Sequence, residues 1–310
     1  MPVVITTCSI NHIAQAKSLG DSLLQFHPDY KLVIGLVDRI DGRVNKQYFQ
    51  PYDVIEAHEM NIPEFEQMHK QYSTYELNCA LKSFFIAYVM KKYQPDTVFF
   101  LDSDMRLFDS LQYLEELLGS NSILLTPHMF NPFPQDGKTP QEKDILKAGI
   151  YNAGFLALRN DEAANGFLAW WTDRMKTQCF EKPKQGLNVD QNWLNFVPLY
   201  FKNVHIVAHP GCNVAYWNLH ERKLKNENGH IIVNEHFPLI FFHYSGYDLS
   251  QPGRVSKHDH RYTINDLPAV EKVLNIYHQA LEKNQHSTFS AIPCFYKKKK
   301  TFWQKIGLKK

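Results

Sequence analysis

The chain begins with two hydrophobic runs that are separated by an amphipathic segment. Aliphatic and β-branched residues dominate residues 3–7 and 31–37, whereas the apolar residues of segment 14–24 recur every three or four positions. A short apolar run is typical of a strand buried on both faces, and the longer spacing is typical of a helix that packs against it. The beginning of the chain therefore predicts a β-α-β unit of a parallel sheet, whose second strand ends at Asp38.

A longer helix and a third buried strand follow. Apolar residues at helical spacing predict a helix over residues 74–93, and Pro95 closes it. Residues 97–101 are threonine, valine, two phenylalanines and leucine, which predicts a short strand. The same reasoning predicts the later elements, namely strand 150–158, helix 161–175, a short helix from residue 188, strand 204–208, strand 238–242 and helix 268–283.

Three polar segments interrupt this pattern. Residues 127–148 are rich in proline, glycine and charge, residues 177–187 are polar, and residues 250–263 are polar and basic. Loops of this kind often act as lids or binding loops, and we expect the third to be mobile. No internal repeat is visible. The proposed division is a main domain (1–265), a C-terminal helical segment (266–296) and a basic amphipathic tail (297–310).

Composition and charge exclude several classes of protein. Hydrophobic residues make up 44% of the chain, with 21 phenylalanines and 16 tyrosines, which argues for a packed core and against disorder. The net charge of +2 gives no reason to expect a nucleic-acid-binding protein. The five cysteines are scattered without a Cys-x-x-Cys pair, which favours a reducing compartment over a disulfide framework or a zinc ribbon. Since no leader sequence and no apolar stretch of about 18 residues occurs, we expect a cytoplasmic protein.

Lysines and apolar residues alternate in the tail, residues 297–310. Its Phe302, Trp303, Ile306 and Leu308 can share one face of a helix, with the lysines around them. Basic amphipathic segments of this kind bind anionic membrane surfaces. We therefore expect peripheral attachment to the inner face of the membrane. A purely solubilising tail is the alternative.

Two aspartates follow the strand at 97–101 directly. Asp102 and Asp104 flank Ser103, and ligands of open α/β sheets gather at the carboxyl ends of the strands. In an extended chain both carboxylates point to the same side, where they repel each other unless a cation lies between them. Hard oxygen ligands favour Mg²⁺ or Mn²⁺. The pattern predicts a divalent metal site, with a solvated turn as the alternative.

The order of these features resembles that of the GT-A glycosyltransferases, and among them glycosyltransferase family 8. The matches to the family pattern extend over residues 1–250 and include, besides the Asp-x-Asp, Met105 to Leu111, Tyr151-Asn152-Ala153-Gly154-Phe155, Asp190-Gln191-Asn192 and His243-Tyr244-Ser245-Gly246. The resemblance implies an α/β fold of the GT-A, Rossmann-like type, with a mixed and mostly parallel sheet flanked by helices. It also implies transfer of a hexose from a nucleotide-sugar donor. Residues 1–265 would then be the nucleotide-sugar-binding catalytic domain, in which the polar segments 127–148 and 177–187 would shape acceptor choice.

The resemblance implies that His243 completes the metal site, although His209 and His220 are alternatives. An imidazole beside two carboxylates suits Mn²⁺ better than Mg²⁺. The metal would bridge the two phosphates of the donor and neutralise the charge of the departing nucleoside diphosphate.

The resemblance also implies where the nucleoside and the phosphates bind. Thr6, Thr7, Cys8 and Asp38 would seat uridine, which makes UDP the expected carrier, although strand propensity alone also explains the two threonines. The further positions expected to contact the donor are Lys82, Ser103, Asn152, Gly154 and Gly246. For Lys82, an exposed helix lysine is the alternative. Gly154 would allow close approach of the substrate to the backbone.

The sugar and its stereochemistry fall to the Asp-Gln-Asn stretch. Asn152 and Asp190 can hold sugar hydroxyls, and Asp190 or Gln191 would act as nucleophile or stabiliser beneath the anomeric carbon of a retaining enzyme. Attack by the acceptor on the leaving-group face, without a protein nucleophile, is an alternative. An inverting enzyme would need a carboxylate base beside the acceptor, for which Asp248 and Glu235 are candidates.

One part of the family pattern is missing. The pattern continues from the His-x-x-Gly into Lys-Pro-Trp, whereas this chain continues with the sequence Tyr-Asp-Leu-Ser-Gln-Pro at residues 247–252. The expected phosphate-binding lysine is therefore absent from its place. Arg254 or Lys257 on the adjoining segment could replace it by closing over the diphosphate.

Two other functions explain less of the sequence. A sugar-phosphate nucleotidyltransferase would need a glycine-rich basic loop near the N-terminus, but residues 6–20 contain only Gly20 and Lys17 of the required types. A non-catalytic carbohydrate-binding protein gives no reason for a metal group. The sequence therefore predicts a metal-dependent enzyme that acts on a glycan or lipid-linked acceptor, as in bacterial surface polysaccharide assembly.

Overall fold

A computed structural model describes residues 1–297 of the chain. The α-helices are α1 (Ile13–Phe26), α2 (Phe65–Gln71), α3 (Thr74–Tyr93), α4 (Gln112–Leu118), α5 (Glu142–Ala148), α6 (Glu162–Met175), α7 (Val197–Tyr200), α8 (Pro268–Lys283) and α9 (His286–Ser290). The strands are β1 (Val3–Cys8), β2 (Lys31–Leu36), β3 (Asp53–Glu56), β4 (Thr97–Leu101), β5 (Met105–Leu107), β6 (Ile123–Pro127), β7 (Tyr151–Arg159), β8 (Glu181–Lys182), β9 (Leu187–Asn188), β10 (Val204–Ile206), β11 (Leu224–Glu227), β12 (His230–Val233), β13 (Phe237–Pro238) and β14 (Phe241–His243).

The central sheet has seven strands in the order β10-β6-β7-β4-β1-β2-β3. Neighbouring strands are parallel except at β7, which runs antiparallel to both β4 and β6. This confirms the predicted mixed and mostly parallel α/β sheet. Because β7 runs against β4, its first residues lie beside the carboxyl end of β4.

Helices cover both faces of the sheet. Val3 and Ile5 of β1 belong to the core on the side of α3 and α6, while Val4 and Cys8 belong to the core on the side of α1 and α4. Successive side chains of a strand point to opposite faces, so every residue of β1 is buried. The continuous apolar runs in the sequence follow from this burial on two sides.

The ends of α3 are fixed by local interactions. The Ser73 side chain accepts a hydrogen bond from the Glu76 amide at 3.2 Å, and the Glu76 carboxylate accepts one from the Ser73 amide at 2.7 Å. This reciprocal capping satisfies two donors at the start of the helix. The helix ends at Gln94, which has a φ of 48°, and Pro95 follows. The capping thus fixes where α3 begins, and its first turns lie beside the carboxyl end of the sheet.

Several elements differ from the sequence-based prediction. The strand expected at 204–208 is shorter, the strand expected at 238–242 is divided between β13 and β14, and β7 begins at Tyr151. The elements that the pattern missed include β3, β6, α2, α4 and the hairpin of β11 and β12. Within segment 127–148, expected to be a loop, β6 ends and α5 forms.

Hydrogen bonds and an ion pair link the basic segment 250–263, which was expected to be mobile, to other parts of the chain. Arg261 is 6% exposed, donates from Nη2 to the Pro140 carbonyl at 2.8 Å and forms an ion pair with Asp136. Ser256 Oγ donates to the Ser245 carbonyl at 2.8 Å. The segment therefore joins the chain after β14 to the chain before α5.

Residues 268–296 pack against the N-terminal part of the molecule. Val270, Val273 and Tyr277 of α8 are buried, and α8 and α9 both contact α1. Among the described residues, no helix has the length and apolar character that a membrane crossing requires. The tail prediction, apart from Lys297, falls outside the described residues.

Candidate active site

A cavity of about 570 Å³ opens at the carboxyl ends of β1 and β4. Separate parts of the chain form its walls: the residues that end β1 and follow it (7–12), one face of α3 (74–82) and the residues that lead into and form α5 (140–148). Asp102, Asp104 and residues from the chain near β14 also line it. The sheet thus gathers distant sequence segments at one edge, as expected for an open α/β sheet.

Asp102, Asp104 and His243 face one another in this cavity. One ligand atom from each residue lies within 4.8 Å of the others, and His243 Nε2 is 3.2 Å from Asp104 Oδ1. The pairing of β14 with β5 sets this geometry, because it places His243 opposite Met105. The Tyr244 amide then donates to the Asp104 carbonyl at 2.8 Å. Residues far apart in sequence are therefore held together by backbone hydrogen bonds.

The two aspartates do not lie in an extended chain, as the sequence pattern suggested. The Met105 amide donates to the Asp102 carbonyl at 3.0 Å, so residues 102–105 form a turn. This turn, rather than the alternation of a strand, brings both carboxylates into the cavity. The structure brings the predicted residues together, but the geometric reason given for this was wrong.

The donor atoms of this group fit a hard divalent cation. Two carboxylates supply oxygen ligands and the imidazole supplies a nitrogen ligand, a set suited to Mn²⁺ or Mg²⁺. Burial acts to raise the pKa of Asp104, but the charge and the hydrogen bond of the His243 ring outweigh it and hold this pKa below its ordinary value. A second carboxylate, Asp102, stands beside this pair. The group is therefore arranged to hold positive charge.

Lys82 lies between two carboxylates and is 6% exposed. Its Nζ is 2.9 Å from Asp102 Oδ1 and 3.2 Å from Asp190 Oδ2. Burial acts to lower the pKa of Lys82, but the two carboxylates outweigh it and raise this pKa well above its ordinary value. Burial raises the pKa of Asp190. The structure therefore excludes the alternative that Lys82 is an exposed helix lysine, and it places a permanent positive charge at the cavity wall.

Asn152 and Gln191 form a fixed amide network beside Lys82, Asp102 and Asp190. Gln191 Oε1 accepts from the Ala153 amide at 3.0 Å and from Asn152 Nδ2 at 3.1 Å, and Gln191 Nε2 donates to the Ala148 carbonyl at 2.9 Å. Asn152 Nδ2 also lies 3.3 Å from His128 Nε2. Because both ends of the Gln191 amide are engaged, this side chain is held in one orientation and ties β7 to the residue that ends α5.

Gly154 occupies a place where no side chain fits. A Cβ atom at this position would lie 2.6 Å from His243 Cε1, 2.7 Å from Asn152 Oδ1 and 2.9 Å from Asp102 Oδ2. The Gly154 carbonyl also accepts from the Asp102 amide at 2.8 Å. From the sequence, Gly154 was expected to allow close approach of the substrate. In the structure, side chains of the candidate metal group pack against it.

Replacing Gly154 with alanine should weaken metal binding and destabilise the protein by about 1–3 kcal/mol, because the new methyl group must displace His243 or Asp102. Gly166 in α6 has no heavy atom within 4 Å of an added Cβ, so Gly166→Ala is a matched control that should stabilise the protein by about 0.5–1 kcal/mol. Calorimetric titration with Mn²⁺ and urea unfolding measure both effects. Undiminished Mn²⁺ affinity in Gly154→Ala would contradict the expectation.

The other predicted donor-binding residues divide into two groups. Thr7, Cys8 and Ser103 line the cavity together with Asn152. Thr6 and Asp38 are fully buried and are not part of the cavity lining. The Asp38 carboxylate instead accepts hydrogen bonds from protein backbone. The cavity wall is therefore formed by residues 7–12, with Thr6 and Asp38 behind it.

Gly246 forms a turn next to the cavity rather than part of its lining. Its φ is 71°, a conformation that favours glycine, and its carbonyl accepts from the Lys257 amide at 2.9 Å. The alternatives from the sequence lie elsewhere: His209 Nδ1 accepts from the Gly211 amide and His220 Nε2 lies 3.0 Å from the Asn131 carbonyl. Neither histidine belongs to the metal group. The candidate bases Asp248 and Glu235 do not line this cavity either.

Sequence reasoning missed several residues that line the cavity, among them Ser9, Asn11, His12, His128 and Trp217. Burial lowers the pKa of His128 to about 4, so its ring is neutral at physiological pH. Trp217 packs edge-on against both His128 and His243, with ring centroids 5.1 Å apart in each pair. His128 follows β6, which the pattern did not detect. Its position directly after an apolar run was the available signal.

Comparison with known sequences finds distant relatives. No protein-family model matches the chain. The chain is 26% identical over 272 residues to the uncharacterized protein YfnF of Bacillus subtilis strain 168, a match that covers 86% of this chain and 88% of YfnF. It is 27% identical over 248 residues to the uncharacterized protein YfnD of the same strain, covering 79% and 77%.

Solved structures provide a comparison of the fold. The galactosyltransferase LgtC, in complex with donor and acceptor sugar analogs, is similar with a TM-score of 0.53 and 15% sequence identity, covering 94% of this chain and 98% of LgtC. The glycosyltransferase GlyE of Streptococcus pneumoniae TIGR4 gives a TM-score of 0.50 and 16% identity, covering 94% of this chain and 65% of GlyE. The chain therefore has the GT-A fold. Its placement in family 8 stays a prediction.

Proposed function

We propose that this chain is a metal-dependent glycosyltransferase that moves a hexose from a UDP-sugar to a glycan or lipid-linked acceptor, with retention of the anomeric configuration. The observation that carries this proposal is the group of Asp102, Asp104 and His243 inside a cavity at the carboxyl ends of a GT-A sheet. These three residues would hold Mn²⁺ or Mg²⁺. When bound, the cation would supply positive charge to the leaving nucleoside diphosphate.

We assign the nucleoside to the wall formed by the end of β1 and the turn after it. Thr7, Cys8, Ser9 and Asn11 line the cavity there. Hydroxyl groups, an amide side chain and exposed backbone groups can donate to and accept from the edge of a pyrimidine. Uridine is supported by the polar side chains and backbone groups of this wall.

We assign the transferred sugar to the wall that holds Asp190 and Asn152. Asp190 is 1% exposed and its carboxylate is held by Lys82, so it can lie beneath the anomeric carbon and stabilise positive charge that develops on the sugar. Both ends of the Gln191 amide are held by hydrogen bonds. We therefore give Gln191 the role of positioning Asn152 and the β7 backbone, and Asp190 the role of the catalytic group.

We assign the acceptor to the side of the cavity that α5 forms. Asp144 and Ile145 line the cavity, which offers a carboxylate for an acceptor hydroxyl and an apolar surface for a sugar face. Pro140 stands before this helix and its carbonyl is held by Arg261. A wall fixed in this way would exclude water while the donor is bound, and this favours transfer over hydrolysis.

Lys257 is the better candidate to replace the absent phosphate-binding lysine. The Lys257 amide donates to the Gly246 carbonyl at 2.9 Å, which places this lysine beside the residue that follows Ser245 of the cavity lining. Arg254 instead donates to the Gln251 side chain and to the Asp259 carbonyl, both at 3.4 Å. We therefore assign to Lys257 the phosphate contact that the missing lysine would make.

The direct test is a panel of UDP-, GDP- and CMP-sugars measured by thermal shift with and without Mn²⁺. A ligand that binds the folded state raises the unfolding midpoint, so UDP-sugars should stabilise the protein only when Mn²⁺ is present. The stabilising sugar is then offered with extracted glycolipids, and the anomeric configuration of the product is read by NMR. The proposal fails if no nucleotide sugar stabilises the protein in a metal-dependent way.

The basic tail carries the membrane part of the proposal. Removing residues 298–310 should abolish binding to vesicles that contain anionic lipid, because each lysine near such a surface contributes about 1 kcal/mol. Hydrolysis of the UDP-sugar in solution should not change, since the described residues that line the cavity all precede the tail in the sequence. Cosedimentation with anionic and with neutral vesicles measures the effect. Equal binding of both vesicle types by the full chain would contradict it.

A further inference from the structure

Asp38 is a fully buried carboxylate whose two oxygens serve different parts of the chain. Its Oδ2 accepts from the Ile10 amide at 3.0 Å. Its Oδ1 accepts from the Phe295 amide at 2.8 Å and from the Arg39 amide at 2.8 Å, and the Arg43 guanidinium pairs with the same oxygen. A buried charge is tolerated only when hydrogen bonds and an opposite charge satisfy it. Asp38 therefore depends on partners 28 and 257 residues away in sequence.

The Ile10 side of this arrangement belongs to the cavity wall. Ile10 lies between Ser9 and Asn11, which both line the cavity. Its side chain is fully buried, and the His12 amide donates to the Ser9 carbonyl at 2.9 Å, so these residues form one tight turn. Asp38 holds the backbone of this turn from behind, on the side opposite the cavity.

The Phe295 side belongs to the C-terminal segment 293–296. Arg43 Nη1 donates to the Pro293 carbonyl at 2.9 Å, and Cys294 Sγ donates to the Val37 carbonyl at 3.4 Å. The Phe295 ring lies under Arg39, whose guanidinium carbon is 5.2 Å from the ring centre. These contacts dock the segment onto the end of β2 and onto Asp38.

We infer that Asp38 is a positioning residue for nucleotide binding and that segment 293–296 forms part of the nucleotide-binding unit. This inference rests on the proposed function and replaces the sequence-based expectation that Asp38 contacts the nucleotide itself. Asp38 is fully buried, and protein groups engage both of its carboxylate oxygens. One carboxylate joins the turn at 9–12 to the C-terminal segment, so a change at either end alters the wall that faces the nucleoside.

The first test compares Asp38→Asn with Asp41→Asn, the same chemical change at an exposed residue of the same loop. An asparagine offers one acceptor oxygen, so it cannot serve both Ile10 and Phe295. In calorimetric titrations, UDP affinity in the presence of Mn²⁺ should fall about tenfold or more in Asp38→Asn and stay unchanged in Asp41→Asn. Affinity for Mn²⁺ alone should stay unchanged in both, because the metal group lies elsewhere. Equal UDP affinity in the two variants would overturn the inference.

The second test removes the C-terminal partner. Deletion of residues 298–310 should leave UDP affinity unchanged, whereas deletion of residues 293–310 should lower it as far as Asp38→Asn does. Combining the longer deletion with Asp38→Asn should add little, because both changes break the same connection. Additive losses, or no loss on the longer deletion, would refute the connection.

Hydrogen exchange without ligand separates this inference from the proposed function. The amides of residues 10–12 should lose protection in Asp38→Asn and in the longer deletion, while amides of the central strands keep theirs. Unchanged protection would overturn the connection even if UDP binds. If wild-type protein binds no UDP, the proposed function fails, and the exchange result still decides whether Asp38 fixes this turn.

Discussion

Replacing Asp104 with alanine should abolish the Mn²⁺-dependent stabilisation by a UDP-sugar and lower sugar transfer by about a thousandfold or more, since a bound metal supplies several kcal/mol of charge stabilisation. Asp104 contributes one of the two carboxylates of the metal group. It forms no ion pair with Lys82, which pairs with Asp102 and Asp190. The variant should therefore fold normally, and the loss should appear in metal binding and turnover rather than in stability.

Asp96→Ala is the matched control for this experiment. Asp96 precedes β4, at the opposite end of the strand from Asp102, and its side chain is 88% exposed. The control removes one carboxylate next to the same strand, and Asp96 does not line the cavity. Its turnover should equal that of the wild type. Metal-dependent turnover by Asp104→Ala at the wild-type rate would show that the three-residue group is not the metal site of the donor.

The central strands were predictable because burial on both faces gives each of them a run of mostly apolar residues. β1, β2 and β4 have neighbours on both edges and helices on both faces, so nearly all their residues must be apolar. β3 lies at the edge of the sheet and reads Asp-Val-Ile-Glu. An edge strand with polar ends lacks a continuous apolar run, so the hydrophobic pattern missed β3.

Two residues show where local pattern fails. Asp38 follows a buried strand as a ligand-binding residue would, and only its hydrogen bond to Phe295, 257 residues away, reveals what it binds. Lys82 lies on a helix that contacts both β1 and α6, so buried positions occur around more than one face. The spacing of apolar residues on α3 therefore could not tell whether Lys82 is buried. Its partners Asp102 and Asp190 become visible only in the folded structure.

Replacing Lys82 with methionine should destabilise the protein by about 3–5 kcal/mol, because it leaves two carboxylates without their shared counter-charge in a buried site. The side chains of Lys82 and Asp190 are 8% and 2% exposed, so water cannot take over the role of the ammonium group. Lys91→Met, on the exposed side of the same helix, is the matched control and should change stability by no more than about 0.5 kcal/mol. Urea unfolding without added metal measures both variants.

The double variant Lys82→Met with Asp190→Asn then separates stability from catalysis. Removing the charge of Asp190 leaves only Asp102, which is 25% exposed and faces the cavity, so much of the lost stability should return. Sugar transfer should not return, because the variant lacks the carboxylate assigned beneath the anomeric carbon. A double variant as unstable as Lys82→Met would mean that Lys82 acts through packing rather than charge. Recovery of stability without activity would mean that Lys82, Asp102 and Asp190 matter more for sugar transfer than for the stability of the fold.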